Sequence, residues 1–243
     1  MSAQDTSKLG TLYGIGVGPG DPELITVKAV RILKQVARVF AAASTTNSHS
    51  LAEKTISPYL RAGTPMVRLN FPMTRDRAVL SEAWKGNAGL ILEAVDAGED
   101  VALITLGDPM TYSTFGYMMS TVRKMKPELL IRIVPGVTSF QAASAAAGRV
   151  LAEGEESLTV VSGALGAERL KEVIKHTDNV VILKVYRHYE EILQALKELN
   201  LSERSVMVSR CGLEDERILW NPASGLEGVP PYLSLLLVKK RTE

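Results

Sequence analysis

The stretch Gly14-Ile15-Gly16-Val17-Gly18-Pro19-Gly20-Asp21 decides the fold. Before it, the apolar run Thr11 to Val17 reads as a buried strand. After it, Asp21, Pro22 and Glu23 supply an N-cap, a first-turn proline and an acidic first turn. Ile25, Ala29, Ile32, Leu33 and Val36 then recur at helical spacing, so the glycines form the turn of a strand-to-helix unit. Glycines so closely spaced allow positive φ and let a ligand or another backbone approach. The dinucleotide fingerprint G-x-G-x-x-G fits no register, because the sixth position is Pro19 counted from Gly14 and Asp21 counted from Gly16. The expected second strand ends in Ala42-Ala43-Ser44, with no acidic residue for a ribose, and no Lys-Ser or Lys-Thr follows the glycines. Asp21 also opposes a pyrophosphate by partly neutralising the helix dipole, which favours a neutral or cationic ligand. Taken alone, these residues also allow a tight turn that binds nothing.

Outward from this turn, apolar runs and helical patterns alternate. Arg38 to Ala43, Pro65 to Leu69, Val101 to Leu106 and Leu130 to Val134 read as strands, with helices over Arg77 to Ala97 and Tyr117 to Lys124. Gly86 and Gly89 weaken the middle of the first of these helices. The second half changes rhythm. An alanine-rich helix (Phe140 to Ala147) precedes strands at Leu158 to Val161, Val180 to Val185, Ser205 to Ser209 and Leu233 to Lys239, with helices centred near Val173 and Leu193. Leu213 to Pro231 holds two Pro/Gly clusters and no long helix, which predicts an antiparallel excursion and a mixed sheet. The expectation is an α/β fold of two α/β domains. A parallel-sheet domain spans residues 1–127 and a mixed-sheet domain spans 128–243, with the boundary near Lys126 and Pro127.

Composition excludes several classes. Lys and Arg total 28 against 27 Asp and Glu, and a net charge of +1 leaves no electrostatic footprint for nucleic acid or an anionic membrane. Met1 to Ser7 lacks the apolar core of a secretory signal, and no apolar run approaches the roughly 20 residues of a membrane span. One cysteine, Cys211, rules out an internal disulfide, and His49, His176 and His188 give no metal-ligand spacing. A cytoplasmic protein with no metal site is expected.

Two more loops follow expected strands. Leu106-Gly107-Asp108-Pro109 precedes a helix opened by Tyr112-Ser113-Thr114, and Pro135-Gly136-Val137-Thr138-Ser139 follows the fifth strand. In a parallel sheet both emerge beside the glycine turn, at the carboxyl edge where ligands bind. Gly-Asp-Pro is also a common turn, and Thr138 or Ser139 can simply cap a helix.

With all three loops in view, the chain resembles the tetrapyrrole methylases, the class III S-adenosylmethionine methyltransferases. The resemblance rests on Leu12 to Leu24, on Gly107-Asp108-Pro109 with Tyr112-Ser113, and on Pro135 to Ser139. The extended forms Gly16 to Leu24 and Gly107 to Phe115 are similar to the branch that methylates the C20 meso carbon of precorrin-2 or cobalt-factor II. Leu183 to Tyr186 and Arg210-Cys211-Gly212 are similar to that branch as well. Cys211 stands where many relatives have another small residue.

The resemblance implies two α/β domains with S-adenosylmethionine in the cleft between them, a tetrapyrrole substrate and a homodimer. It implies cofactor contacts from Leu106, Gly107, Asp108, Thr111, Ser113, Thr138 and Ser139, and from Val185, Tyr186, Gly212, Tyr232 and Leu233. Pro19 is a candidate at the glycine turn, which in the family borders the tetrapyrrole. Any cobalt arrives with the substrate. Asp108 is the one carboxylate in the matched loops. It is a candidate to orient the donor or, less favoured, to act as the catalytic base. Arg75, Arg77, Lys184 and Arg187 are candidate partners for substrate carboxylates, and His188 is expected on the surface. The rivals are a uroporphyrinogen or other precorrin methylase, diphthine synthase, and a nucleotide-binding regulatory α/β protein.

Overall fold

The computed structural model describes residues 9–44, 51–72, 74, 76–224 and 228–240. Arg75, His49 and Met1 to Ser7 lie outside the described residues. The chain divides into two units, Met1–Thr138 and Ser139–Glu243.

In the first unit β1 (Leu12–Gly16), β2 (Arg38–Ser44), β3 (Met66–Phe71), β4 (Val101–Thr105) and β5 (Ile131–Val134) form one parallel sheet, ordered β3-β2-β4-β1-β5. Both faces are covered. Val101 and Leu103 of β4 join the core under α3 (Arg77–Asp96) and α4 (Phe115–Met125), while Ala102 and Ile104 join the core under α1 (Val27–Leu33) and α2 (Leu51–Ile56). A strand buried on both faces loses the period-two pattern, which is why these strands read as apolar runs.

The helix after the glycine turn begins later than Asp21. The Asp21 carboxylate accepts from Glu23 N at 2.8 Å and caps only a three-residue 3-10 turn, Pro22–Leu24. Ile25 is extended, and Thr26 caps α1, its Oγ1 accepting from Ala29 N at 3.2 Å. The apolar spacing ran through the break because both turns bring residues three to four apart onto one side. Farther on, α3 runs unbroken through Gly86 and Gly89. Its N-cap, Asp76, accepts from Ala78 N and Val79 N, and burial of Ala88, Ile91, Leu92 and Val95 outweighs about 1 kcal/mol of helix propensity per glycine. A Cβ at either glycine would meet nothing within 4 Å.

In the second unit β6 (Leu158–Ser162), β7 (Asn179–Leu183), β8 (Ser205–Ser209), β9 (Arg217–Trp220) and β10 (Ser234–Lys239) form a mixed sheet, ordered β6-β7-β10-β8-β9. Only β6 and β7 pair in parallel, and β9 is the expected antiparallel excursion, paired to β8. The core built on Val161, Val180, Ile182 and Leu236 includes Leu170 of α6 (Gly166–Val173) with Ile192 and Leu196 of α7 (Tyr189–Glu198). α5 (Ser139–Ala147) lies against β8 and β10.

The units part between Thr138 and Ser139, later than the expected boundary at Pro127. The reason is register: β5 pairs with β1, Leu12 opposite Ile131 and Ile15 opposite Val134, so this strand completes the first sheet. The boundary falls inside the Pro135 to Ser139 loop.

Candidate functional site

Parallel pairing puts the loops after β1, β4 and β5 at one edge of the first sheet. They meet there backbone to backbone. Gly18 and Gly107 form an antiparallel bridge, Gly107 N donating to Gly18 O at 2.7 Å and Gly18 N to Gly107 O at 3.3 Å. A Cβ on Gly16 would lie 2.5 Å from Gly107 O, and one on Gly136 would lie 2.2 Å from the same oxygen. Gly14 has a different task, for a Cβ there would lie 2.1 Å from the Phe115 ring, and its absence leaves that ring room. The glycine signal was therefore in large part a packing signal. Gly18 and Gly107 also hold φ of 79° and 67°, where a side chain is disfavoured.

Asp108 ties two of these loops together. Its Oδ1 accepts from Met110 N at 2.9 Å and Thr111 Oγ1 at 3.3 Å, and its Oδ2 accepts from Gly136 N at 3.1 Å. Ser113 is turned inward. Its hydroxyl bonds Thr105 Oγ1 at 3.0 Å and accepts from Phe115 N at 3.1 Å, a bond that braces the start of α4, while Thr114 makes no capping bond. Leu106 packs partly against the core, Pro19 is buried, and Thr111 is exposed. Thr138 and Ser139 are half-buried at the end of the third loop.

The second unit gathers its candidates at one edge because β10 runs antiparallel to its neighbours. Leu235 pairs with Leu183 and Ser234 with Ser209, so the start of β10 meets the ends of β7 and β8. Arg210 N donates to Leu233 O at 2.7 Å, and the buried hydroxyls of Ser209 and Ser234 bond at 2.8 Å. Gly212 N donates to Glu216 Oε2 at 2.8 Å. Val185 is wholly buried. The Tyr186 and Tyr232 rings lie 5.1 Å apart at 50°, and Arg187 Nε donates to the Tyr186 hydroxyl at 3.1 Å. Burial, reinforced by the Tyr186 hydroxyl, raises the Tyr232 phenol above its ordinary value, and the hydrogen bond to Tyr186 raises the Arg187 guanidinium.

Among the candidate cations, Arg77 is exposed in the first turn of α3, and Lys184 and Arg187 are exposed after β7. His188 pairs with Glu191 on the helix surface at 3.2 Å. Three supports escaped the sequence reading. Thr55, fully buried in α2, donates to Gly20 O at 3.2 Å, and the Tyr59 hydroxyl donates to Pro22 O at 2.9 Å, so both brace the glycine turn. Gly163 follows β6 at the same edge as Val185. A Cβ there would stand 3.0 Å from Val185 Cα. Ser162-Gly163 after an apolar run was a visible signal of this third loop, whereas nothing local marks Thr55 or Tyr59.

Among the described residues no group of three or more His, Cys, Asp or Glu could hold a metal ion, and no helix is long and apolar enough to cross a membrane. The family model for tetrapyrrole (corrin/porphyrin) methylases matches residues 11–227. A cobalt-precorrin-2 C(20)-methyltransferase of Salmonella typhimurium is 35% identical over 235 residues, 96% of this chain and 98% of that protein. A precorrin-2 C(20)-methyltransferase of a Sinorhizobium species is 29% identical, covering 95% of each chain. A cobalamin biosynthesis protein of Mycobacterium tuberculosis is 34% identical over 96% of this chain, which spans about half of it, 46% of its length. Among solved structures, a cobalt precorrin-4 methyltransferase aligns at a TM-score of 0.71 with 24% identity, covering 94% of each chain. A uroporphyrin-III C-methyl transferase from Thermus thermophilus, complexed with S-adenyl homocysteine, aligns at 0.66 with 23% identity, covering 95% of this chain and 92% of that one. Those two likenesses concern the fold. The family match runs through all three loops of the first sheet edge and most of the second unit, and this chain belongs to the tetrapyrrole (corrin/porphyrin) methylases.

Proposed function

We propose that this protein transfers a methyl group from S-adenosylmethionine to carbon 20 of precorrin-2 or its cobalt complex, a step in cobalamin biosynthesis. The observation that carries the proposal is the end-to-end match to a C(20)-methyltransferase, 96% of this chain on 98% of that one. The donor fits the sites described. Each unit presents a glycine-containing polar edge, and no Lys-Ser or Lys-Thr follows the glycine turn.

S-adenosylmethionine supplies an electrophilic sulfonium methyl, and the leaving group is a neutral thioether. What the chain adds is positioning. On the first unit, Leu106, Gly107, Thr111, Ser113, Thr138 and Ser139 are the proposed contacts. Gly107 and Leu106 contribute backbone, because their side chains are absent or partly buried. Asp108 orients the loops that carry Thr111 and Gly136, through its hydrogen bonds with Met110 N, Thr111 Oγ1 and Gly136 N. We assign it to cofactor positioning rather than to proton removal. On the second unit, Val185, Tyr186, Gly212, Tyr232 and Leu233 are the proposed contacts, with Pro19 on the tetrapyrrole side of the first. The two units are proposed as the two domains of the fold. Arg77, Lys184 and Arg187 are the proposed partners of substrate carboxylates.

A homodimer in the cytoplasm, without nucleic-acid or membrane partners, completes the proposal. Its supports are the family resemblance, one cysteine and near-zero net charge. Light scattering tests the dimer.

Calorimetry with S-adenosylmethionine and S-adenosylhomocysteine tests the donor, and binding of neither sinks the proposal. Turnover on precorrin-2 and cobalt-precorrin-2, followed by mass and by the position of the new methyl, tests the acceptor. Binding without turnover on either points to another tetrapyrrole, or to diphthine synthase chemistry.

A further inference from the structure

β8 and β9 are antiparallel neighbours, with Ser209 paired to Arg217, and a hairpin of that kind can close with as few as two residues. Here residues 210–216 intervene, at the edge of the second sheet where β10 begins. The connection is folded on itself in two successive turns, Leu213 N donating to Arg210 O at 3.1 Å and Glu216 N to Leu213 O at 3.0 Å. Arg210 and Gly212 hold φ of 53° and 77°. Such a backbone persists at an arginine only where the surroundings over-determine it.

Side chains supply that constraint. Arg210 pairs with Asp215 across the loop, and its amide donates to Leu233 O at 2.7 Å. Glu216 reaches back, its Oε2 accepting from Gly212 N at 2.8 Å. In a trans peptide the N–H and the preceding carbonyl point in opposite directions, so a carboxylate on the Gly212 amide also fixes the direction of the Cys211 carbonyl. The first unit uses the same device, for Asp108, in a loop at its own sheet edge, accepts from Gly136 N at 3.1 Å. In each unit a carboxylate is thus bonded to a glycine amide beside the residues proposed to meet the donor.

We propose that Glu216 is a positioning residue for the methyl donor: by holding the Gly212 amide it locks the Cys211–Gly212 peptide, and through that peptide it sets the affinity of this edge for S-adenosylmethionine. The proposal rests on the methyl-transfer reading above, in which Gly212 and Leu233 meet the donor. Glu216 acts through Gly212, without touching donor or acceptor. A loop ordered in advance spares the ligand the cost of ordering it, so the lock acts on donor affinity.

The test compares Glu216→Ala and Glu216→Gln with the wild type in S-adenosylhomocysteine affinity, steady-state methylation of precorrin-2 and cobalt-precorrin-2, and amide hydrogen exchange at Gly212. Thr177→Val is the control for general stability. Thr177 is buried at the opposite edge of the same sheet, just before β7, where its hydroxyl donates to Ser157 O and Asn179 O. Glu216→Ala should bind S-adenosylhomocysteine about tenfold more weakly and exchange faster at Gly212. Its KM for S-adenosylmethionine should rise by about the same factor, with kcat within about threefold. Glutamine still offers a carbonyl acceptor, so Glu216→Gln should keep the affinity to within about threefold. Thr177→Val should melt lower and keep the affinity to within about threefold. An unchanged affinity in Glu216→Ala would overturn the proposal, and so would an equal loss in Thr177→Val, which would reduce the effect to stability. An equal loss in Glu216→Gln would overturn the assignment to the hydrogen bond. A wild type that neither binds S-adenosylhomocysteine nor methylates either acceptor brings down the methyl-transfer reading itself. A wild type that binds, with a Glu216→Ala variant that binds equally well, brings down this proposal alone.

Discussion

Asp108 reaches across from the loop after β4 to Gly136 in the loop after β5, its Oδ2 accepting the Gly136 amide at 3.1 Å while its Oδ1 holds Met110 and Thr111. One carboxylate thus sets the spacing of two loops that carry most of the proposed cofactor contacts in the first unit. Hydrogen bonds to a charged acceptor are worth about 1.5–3 kcal/mol, so Asp108→Ala should cost roughly that much stability. On the proposed assignment it also weakens S-adenosylhomocysteine binding by about tenfold or more. Denaturant unfolding and calorimetry on the same preparation check both, and an unchanged affinity would remove the loop from the cofactor site.

Gly136 and Gly86 should respond to alanine with opposite signs. At Gly136 the new Cβ would fall 2.2 Å from the Gly107 carbonyl oxygen, a backbone atom that moves only with its loop. Gly136→Ala should therefore cost about 1–3 kcal/mol. At Gly86, in the exposed middle of α3, the Cβ meets nothing within 4 Å, so Gly86→Ala should add about 0.5–1 kcal/mol by helix propensity. Melting curves of the two variants decide it, and a destabilised Gly86→Ala would point to a neighbour absent from the isolated chain.

Thr55→Val keeps the shape of the side chain and deletes the hydroxyl that bonds Gly20 O and Leu51 O. Leaving a buried carbonyl without a donor costs about 1–3 kcal/mol. Hydrogen exchange should show faster opening of the glycine turn in this variant. Equal exchange in the two proteins would show that the turn is held without Thr55.

Burial, followed by the Glu216 carboxylate, pushes the Cys211 thiol from its ordinary 9.0 up to about 12. Between those values the unfolded chain has lost the thiol proton and the folded chain has kept it. Stability from this group is therefore fully present below the lower value and is lost as pH rises through the window. The melting temperature of wild type should fall more steeply between about pH 9 and 11 than that of Cys211→Ser, whose side chain does not titrate there. The difference in slope isolates the thiol from the lysines, and parallel slopes would refute its burial.

Much of the molecule could be read locally. The apolar runs of β1, β4 and β7 announce strands buried on both faces, and three polar glycine loops after strands announce the carboxyl edge. The changed rhythm between Leu213 and Pro231 announces the antiparallel β9. α2, Thr26 as the cap of α1, and the bracing by Thr55 and Tyr59 were not legible. A short helix has too few turns for a periodicity, and a threonine three residues before an alanine is not a signal by itself.

By itself the sequence determined the α/β class, the two sheets with their different pairing, the loops that bear the candidate site and the family to which they belong. All of these are properties of local pattern. The tertiary structure alone decided which glycines serve packing, where the units divide, what Asp108 binds and which residues carry left-handed strain. Gly16, Gly107 and Gly136 meet only because β1 lies between β4 and β5 in the sheet. Strand order is a choice among distant segments, made by burial on both faces at once, and no short stretch of chain encodes it.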